Sequence, residues 1–340
     1  MTPRSGTKYD EGFSKKWKII FAVLIGAIVV VAIFAEIGFL GPLPNNTPAN
    51  NIPSSNYNNG NGNTALPKVV LTVEGSVTKG DWIRDASTDL PDYESTVSYS
   101  VSDSGNLDAS SVSITISIDG THYSSNVIPL IAMSDSYSSS FSYSIPYDQT
   151  SNVLIAANCQ GSSDSYTLSI GSSFPRSWYV EGATPTVELF ITPREQNLAT
   201  MKDNILKNKF FLNPDWIAIR EWVGNNIKYN YAAYETSTCH WQFPKETLQS
   251  GTGVCIDYSI LLCSLYRDGV FSANDVYVVV GMSGTEGHAW VKVNLPVLGW
   301  YTLEPQINGS GWIAILGDLV TVSGYHAVYE FNDQQFRTIG

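Results

Sequence analysis

The sequence GTGVCIDY at residues 251–258 is the strongest indication of the fold, and it continues directly into the apolar sequence SILLCSLY at residues 259–266. The two glycines give the backbone the freedom to make a tight entry. Residues 255–268 are nearly apolar on every side and stop at Gly269, and a helix without a polar face is a buried one. The sequence therefore predicts a buried helix with Cys255 in its first turn, where free N–H groups and the helix dipole favour a thiolate.

A histidine and a carboxylate follow Cys255 in the chain. His288 opens an alternating, strand-like run after the loop at residues 281–287, and Glu304 closes the next run. If a hairpin places the two runs side by side, we expect Glu304 to accept the Nδ1–H bond of His288 and fix its tautomer. Cysteine, histidine and carboxylate in this order are a nucleophile, its base and the group that orients the base. Each residue alone has an ordinary structural interpretation, so the prediction depends on the three together.

The surrounding pattern predicts an α+β domain over residues 193–340. Apolar side chains recur at helical spacing in residues 194–207 and 215–227. Strand-like runs follow the buried helix at residues 275–281, 288–295 and 300–304. Helices that precede a sheet, with one buried helix packed on that sheet, form an α+β layer.

Residues 68–192 have the pattern of an all-β domain. In residues 112–118 the sequence VSITISI alternates apolar and polar side chains, which is typical of a half-buried strand. Turn sequences at residues 103–106 and 119–120 separate such runs. Six or seven short strands over about 110 residues predict an immunoglobulin-like β-sandwich.

The N-terminal part contains an apolar run followed by a polar linker. Residues 19–35 are continuously apolar, and a helix that spans a bilayer needs about 20 mostly apolar residues. Basic residues precede this run, which places the N-terminus in the cytoplasm. We predict a single-pass protein of the cell membrane with its C-terminal domains extracellular: a cytoplasmic tail at residues 1–16, a transmembrane helix at 17–40 and a disordered linker at 41–67. The alternative is a signal peptide cleaved after Ala35.

Charge and cysteine content exclude some classes of partner. After residue 40 the chain carries 14 of its 19 Lys and Arg and 28 of its 31 Asp and Glu, a formal charge of −14, so we expect no nucleic-acid partner. Cys159, Cys239 and Cys263 allow one disulfide at most if Cys255 is catalytic, and the sequence does not say which. Cys239 and His240 match no zinc spacing, so no metal or other cofactor is expected.

Residues 216–306 resemble the transglutaminase-like superfamily, whose papain-like core presents Cys, His and Asp in this order. The similar pieces are WV at 222–223, WQFPKETL at 241–248, GTGVCIDYS at 251–259, GHAWV at 287–291, and Trp300 with LEP at 303–305. The resemblance implies Cys255 as nucleophile, His288 as base and Glu304 as the third member. Glu304 departs from the family pattern, which usually has Asp in an LDP run. Residues 97–120 also resemble the cell-adhesion-related β-sandwich of prokaryotic surface proteins.

The chemistry that the resemblance implies is attack of Cys255 on an amide carbonyl, with His288 protonating the leaving amine. The backbone N–H of Cys255 is one oxyanion donor, and Trp241 is a candidate for the second. Trp290 is a further candidate for oxyanion or substrate contact. The thioester is resolved by water or by a primary amine, and we favour water because it is in excess outside the cell.

Together these patterns predict a membrane-anchored cysteine peptidase or acyltransferase. Its substrate is a protein or peptide at the cell surface, and its β-sandwich is a spacer. The alternative is a non-enzymatic surface protein that uses the same fold to bind or to scaffold.

Overall fold

The computed structural model describes residues 66–176, 184–235, 240–309 and 324–339. The predicted cytoplasmic tail and transmembrane helix lie outside these residues, as does all but the end of the predicted linker. Among the described residues, no helix is both long enough and apolar enough to cross a membrane.

The first domain is a sandwich of two antiparallel sheets. One sheet has the strand order β1-β2-β5 and the other has the order β4-β3-β6-β7. The strands are β1 (Leu71–Arg84), β2 (Pro91–Asp103), β3 (Ala109–Ile118), β4 (Thr121–Ile131), β5 (Ser136–Pro146), β6 (Thr150–Cys159) and β7 (Ser162–Gly171). The predicted β-sandwich is confirmed.

Alternation in β3 builds the core of the sandwich as predicted. Val112, Ile114, Ile116 and Ile118 are all buried, and they pack with apolar residues of the other strands. Strand β4 was not among the predicted strands, and its residues are mostly exposed. As an edge strand β4 buries little, so its sequence has no period-two signal.

The second domain places helices against a five-stranded antiparallel sheet of order β12-β11-β10-β13-β14. A 3₁₀ helix, Thr184–Phe190, precedes it. The helices are α1 (Gln196–Asn208), α2 (Asp215–Asn226), α3 (Tyr231–Glu235), α4 (Pro244–Ser250) and α5 (Cys255–Arg267). The strands are β8 (Lys228–Tyr229), β9 (Thr252–Gly253), β10 (Val276–Ser283), β11 (Glu286–Leu295), β12 (Gly299–Leu303), β13 (Tyr325–Phe331) and β14 (Phe336–Thr338).

Helix α5 is the centre of this domain. Every residue of α5 from Ile256 to Tyr266 is buried. The helix packs on β10 and β11, whose core-facing residues include Val278, Ala289 and Val291. The predicted α+β layer and its buried helix are therefore confirmed, because an all-apolar helix must be covered on every side.

Ionic contacts join the two domains. Asp89, in the loop between β1 and β2, is buried and accepts hydrogen bonds from the backbone N–H and the guanidinium of Arg194. Arg84 of β1 donates to the carbonyl oxygen of Ile191 at 2.9 Å. Ile191 itself lies in the core of the second domain, together with Phe190. The segment just before α1 is thus shared between the domains.

Candidate active site

Two glycines bring the chain to the start of α5 for different reasons. Gly251 ends α4 in the left-handed conformation, with φ of 64°, as predicted. Gly253 is required by space: a Cβ there would lie 2.7 Å from the Cβ of Asp257. Cys255 follows as the first residue of α5 and remains half-buried.

Asp257 completes the first turn of α5. Its Oδ2 accepts the N–H of Val254 at 2.8 Å, so its negative charge complements the helix N-terminus. Its Oδ1 accepts the N–H of Gln242 at 2.9 Å, which ties the neighbouring 240–243 segment to the same helix. Burial raises the pKa of Asp257 to about 6, and the two backbone hydrogen bonds oppose that rise.

The structure brings Cys255, His288 and Glu304 together around one cavity. His288 lies near the start of β11, and its Nε2 is 2.7 Å from Oε2 of Glu304. Cys255 and His288 line the same two cavities, and the interaction of the thiol with the imidazole raises the pKa of His288. Since Glu304 occupies Nε2, the ring nitrogen left for the thiol is Nδ1.

The nitrogen that meets Glu304 corrects the sequence prediction, which had assigned the carboxylate to Nδ1. Strands β11 and β12 pair with Val291 opposite Leu303, so Glu304 lies level with Trp290 and one diagonal step from His288. A long side chain spans that diagonal and reaches the far end of the imidazole.

The pKa of His288 is raised, which favours its protonated form. Burial lowers the pKa of His288, but hydrogen bonds and the negative charges of Cys255 and Glu304 outweigh it and raise the pKa to about 9. The imidazole therefore carries two protons at neutral pH. An imidazolium beside the sulfur at a helix N-terminus is the counter-ion that a thiolate nucleophile requires.

Glu304 is held by residues that the sequence analysis did not single out. It is buried, not the surface carboxylate that it would be on its own, and Tyr325 donates its hydroxyl to Oε2 at 2.8 Å. Arg220 of α2 donates to the backbone oxygen of Glu304 at 2.8 Å. Arg220 lies on the buried face of α2 with Ile217 and Val223, and a charged residue on an apolar face was the signal that could have identified it. Tyr325 had no such signal.

Trp290 packs against the imidazole of His288. It is buried, its ring stacks on His288 with centroids 6.0 Å apart, and it lies 4.8 Å from the ring of Tyr325. It lines neither of the cavities that meet at Cys255. Its observed contact is with the imidazole, not with the space that a substrate would occupy.

Two cavities meet at Cys255 and His288. One, of about 460 Å³, has a tyrosine-rich wall. The other, of about 440 Å³, has an apolar wall. Tyr234 and Glu286 line both, and the Tyr234 hydroxyl donates to Oε2 of Glu286 at 3.1 Å. The tyrosine wall includes Tyr229, Tyr231 and Tyr325, and the apolar wall includes Trp241, Val254, Ile256, Val280 and Ala289.

Trp241 has an unused donor at this site. Its ring lines the apolar cavity, and within the described ranges its indole N–H is buried without a hydrogen-bond partner. A buried N–H without a hydrogen-bond partner lowers stability by about 1–3 kcal/mol, and an acceptor that bonded to it would remove this cost. The role of Trp241 as second oxyanion donor stays a prediction.

Two further cysteines that the structure describes are packed in hydrophobic cores. Cys159 and Cys263 are free and buried, each in the core of a different domain. Cys239 lies outside the described residues, and His240 is exposed. In the part of the chain that the structure describes, no three His, Cys, Asp or Glu side chains are grouped to hold a metal ion.

Two parts of the chain match models of known families. Residues 214–305 match the transglutaminase-like superfamily, and residues 81–164 match CARDB. Along the chain, a CARDB domain is followed by a transglutaminase-like core. Both resemblances stated from the sequence are confirmed, and the matched part of the core contains Trp241, Cys255, His288 and Glu304.

Solved structures resemble each part at low identity. LapG from Legionella pneumophila is 20% identical over 42% of this chain and 75% of its own, with a TM-score of 0.29. Its calcium-bound form is 17% identical over 44% of this chain and 80% of its own, with a TM-score of 0.30. The CARDB domain of a Pyrococcus furiosus protein, in complex with di-metal ions, is 14% identical over 32% of this chain and 98% of its own, with a TM-score of 0.26. No curated protein matches the chain.

Proposed function

We propose that this chain is a membrane-anchored, extracytoplasmic cysteine-dependent amide hydrolase or acyltransferase that works through a thioester on Cys255. The observation that carries the proposal is the grouping of Cys255, His288 and Glu304 at the N-terminus of a buried helix, where two cavities meet. The anchor rests on the apolar run at residues 19–35.

The first half-reaction follows from the charge on His288. The Cys255 thiolate attacks the carbonyl carbon of an amide, and the carbonyl oxygen becomes an oxyanion. In this proposal the oxyanion accepts hydrogen bonds from the backbone N–H of Cys255 and from the indole N–H of Trp241, which has no partner among the described residues. The imidazolium of His288 then gives its proton to the leaving nitrogen, the C–N bond breaks, and a thioester and a free amine result.

The second half-reaction uses His288 as a base. Its neutral imidazole takes a proton from water, or from a primary amine, as that nucleophile attacks the thioester carbon. The collapse of the second oxyanion breaks the C–S bond and regenerates the thiolate–imidazolium pair. Glu304 accepts the Nε2–H bond throughout and keeps the ring in place. We favour water as the acceptor because it is in excess outside the cell.

Thiol labelling of the native full chain separates an enzyme from a scaffold. Cys255 should react with iodoacetamide at least about tenfold faster than Cys263 or Cys159, because it is half-buried beside an imidazolium whereas the other two are buried. Peptide mapping identifies the labelled site, Cys263→Ser is the matched control that keeps the fast label, and His288→Ala should slow it. Equal, slow labelling of all cysteines would favour the non-enzymatic scaffold.

The fate of the thioester is a separate measurement. A glutamine-containing peptide is incubated with the full chain and a labelled primary amine, with the Cys255→Ser variant as the blank. Formation of the free acid supports hydrolysis, and incorporation of the amine supports transfer. If neither product exceeds the Cys255→Ser blank, an activated ester that reports acylation alone decides whether Cys255 is a nucleophile at all.

A further inference from the structure

The residue that leaves the CARDB domain reaches into the core of the other domain. Arg176 follows the last strand of the sandwich, and its side chain is only 9% exposed. Its guanidinium lies 2.7 Å from Asp148 of the sandwich and 2.6 Å from Glu246 of α4. It also donates to the backbone oxygen of Trp241 at 3.1 Å. One side chain therefore joins the sandwich, α4 and the backbone of the candidate oxyanion donor.

The connection to Trp241 runs in both directions. The N–H of Trp241 donates to the backbone oxygen of Arg176 at 2.9 Å, so both polar backbone groups of Trp241 are taken by this one residue. The guanidinium also lies over the ring of Phe243, 4.5 Å from its centroid, and near the ring of Tyr147 of the sandwich at 5.2 Å. Cation–π contacts of this kind add to the hydrogen bonds and restrict the side chain further.

The next residues are held from the opposite side. Asp257 of α5 accepts the N–H of Gln242, and Glu246 accepts the N–H of Phe243 at 2.8 Å. The backbone of residues 241–243 is thus fixed between Arg176 on one side and the helix that carries Cys255 on the other. The indole of Trp241 projects from this fixed segment to the wall of the apolar cavity.

We propose that Arg176 is a positioning residue that holds the indole N–H of Trp241 at the oxyanion site. Because Asp148 of the CARDB domain binds Arg176, this domain contributes to the positioning of Trp241 and therefore to the rate. This inference rests on the proposed function. It differs from the expectation that the sandwich is only a spacer. A site that depends on one hydrogen-bond donor loses rate when that donor moves by about 1 Å, so a residue outside the cavity controls the rate.

Two reactions of the same thiol separate positioning from general damage. Acyl transfer from p-nitrophenyl acetate passes through a tetrahedral oxyanion and needs the donor. Alkylation by iodoacetamide displaces iodide, forms no oxyanion, and reports only the Cys255–His288 pair. Loss of an oxyanion donor costs about 10²–10³ in kcat. Displacement of Trp241 should therefore lower the first rate and leave the second unchanged.

The variants follow from the contacts. Arg176→Gln removes the guanidinium, and Trp241→Phe keeps the ring but removes the indole N–H. Asp148→Asn removes only the charge on the sandwich side, and Asn tolerates the positive φ of 56° at that position. Arg194→Gln is the matched control, because it breaks the other ionic link between the domains without touching the segment at 241–243.

With the full chain, we expect Trp241→Phe to lower kcat for p-nitrophenyl acetate about 10²-fold, Arg176→Gln about tenfold or more, and Asp148→Asn about threefold. KM should change little, and alkylation by iodoacetamide should stay within about twofold of the unsubstituted chain in all three. Arg194→Gln should match the unsubstituted chain in both reactions. The double variant of Arg176→Gln with Trp241→Phe should be no slower than Trp241→Phe alone, because both remove the same interaction.

The inference is overturned if Arg176→Gln and Asp148→Asn acylate at the full rate, or if the double variant shows the product of the two single losses. It is also overturned if alkylation falls in parallel with acylation, since that marks a general loss of structure. Should Arg176→Gln not fold, Asp148→Asn alone decides. A parent chain that neither alkylates rapidly nor acylates overturns the proposed function itself, which is a different result from an active parent with insensitive variants.

Discussion

Cys255 and Cys263 lie on the same helix, two turns apart, in opposite surroundings. Cys255 begins α5 beside His288, whereas Cys263 is fully buried in the core. Burial raises the pKa of the Cys263 thiol, which keeps it protonated and inert. Residue type is the same in both cases, so position on the helix decides which thiol has access to a base and to a cavity.

Glu304 and His288 differ in what their removal takes away. His288→Ala removes the proton donor and base, and we expect a loss of about 10³-fold or more in kcat. Glu304→Ala leaves the imidazole but removes the acceptor for Nε2–H and for the Tyr325 hydroxyl, and we expect a smaller loss, of about 10²-fold. Steady-state kinetics with p-nitrophenyl acetate measures both, and Glu304→Gln serves as the conservative variant. An equal or larger loss for Glu304→Ala would show that the carboxylate does more than orient the ring.

The pH dependence of stability should report the proton on His288. Burial lowers the pKa of His288, but its contacts with Cys255 and Glu304 outweigh this and raise it from 6.5 to about 9. The folded state then binds the proton more tightly, so this stabilisation is fully present below about pH 6.5 and is lost as the pH rises through about 9. It amounts to at most about 3 kcal/mol.

Urea unfolding of the parent chain and of His288→Gln measures this effect. The difference in unfolding free energy between the two should be largest near pH 6 and should shrink by about pH 10. A difference that stays constant across this range contradicts the raised pKa of His288.

At the scale of the element, the N-terminus of α5 depends on a carboxylate with two acceptor oxygens. Asp257 accepts the N–H groups of Val254 and Gln242, one on each oxygen. Asp257→Asn keeps one acceptor and turns an NH₂ toward the other N–H. We expect a loss of about 1–3 kcal/mol in stability and slower acylation, because the segment that carries Trp241 loses its tie to the helix.

Chemical denaturation and p-nitrophenyl acetate kinetics check this prediction for Asp257. Asp215→Asn is the matched control, since Asp215 is also an aspartate in the first turn of a helix but is half exposed. We expect a change within about 0.5 kcal/mol for the control. Similar effects at the two positions would mean that Asp257 acts only as a helix-terminal charge.

At the scale of the whole molecule, the domain junction depends on a buried charge. Asp89 accepts hydrogen bonds from Arg84 and Arg194, and its backbone has a positive φ of 62°. Asp89→Ala removes the buried carboxylate that both guanidinium groups contact, and we expect a loss of about 3–5 kcal/mol. Asp89→Asn tolerates the same φ and keeps an acceptor, so it should lose less. Equal losses measured by denaturant unfolding would assign the effect to the backbone, not to the charge.

Much of the architecture was predictable because its signals are local. Alternation in β3 and all-round apolarity in α5 depend on side chains a few residues apart, and both predictions are confirmed. The edge strand β4 was not predictable, because a strand that buries little carries no period. Tyr325 was missed for a different reason: it reaches Glu304 only because β13 pairs with β10 beside β11.

Local sequence patterns were enough to predict the two domain types, the buried helix and the grouping of Cys255, His288 and Glu304 at one site. Those follow from periodicity, turn residues and the order of chemical groups along the chain. Three contacts became known only from the folded structure: Nε2 of His288 with Glu304, Trp290 with the imidazole of His288, and Arg176 with the backbone of Trp241. The physical reason is that these contacts join residues distant in the chain, and strand register and domain packing, which no local pattern encodes, decide where they meet.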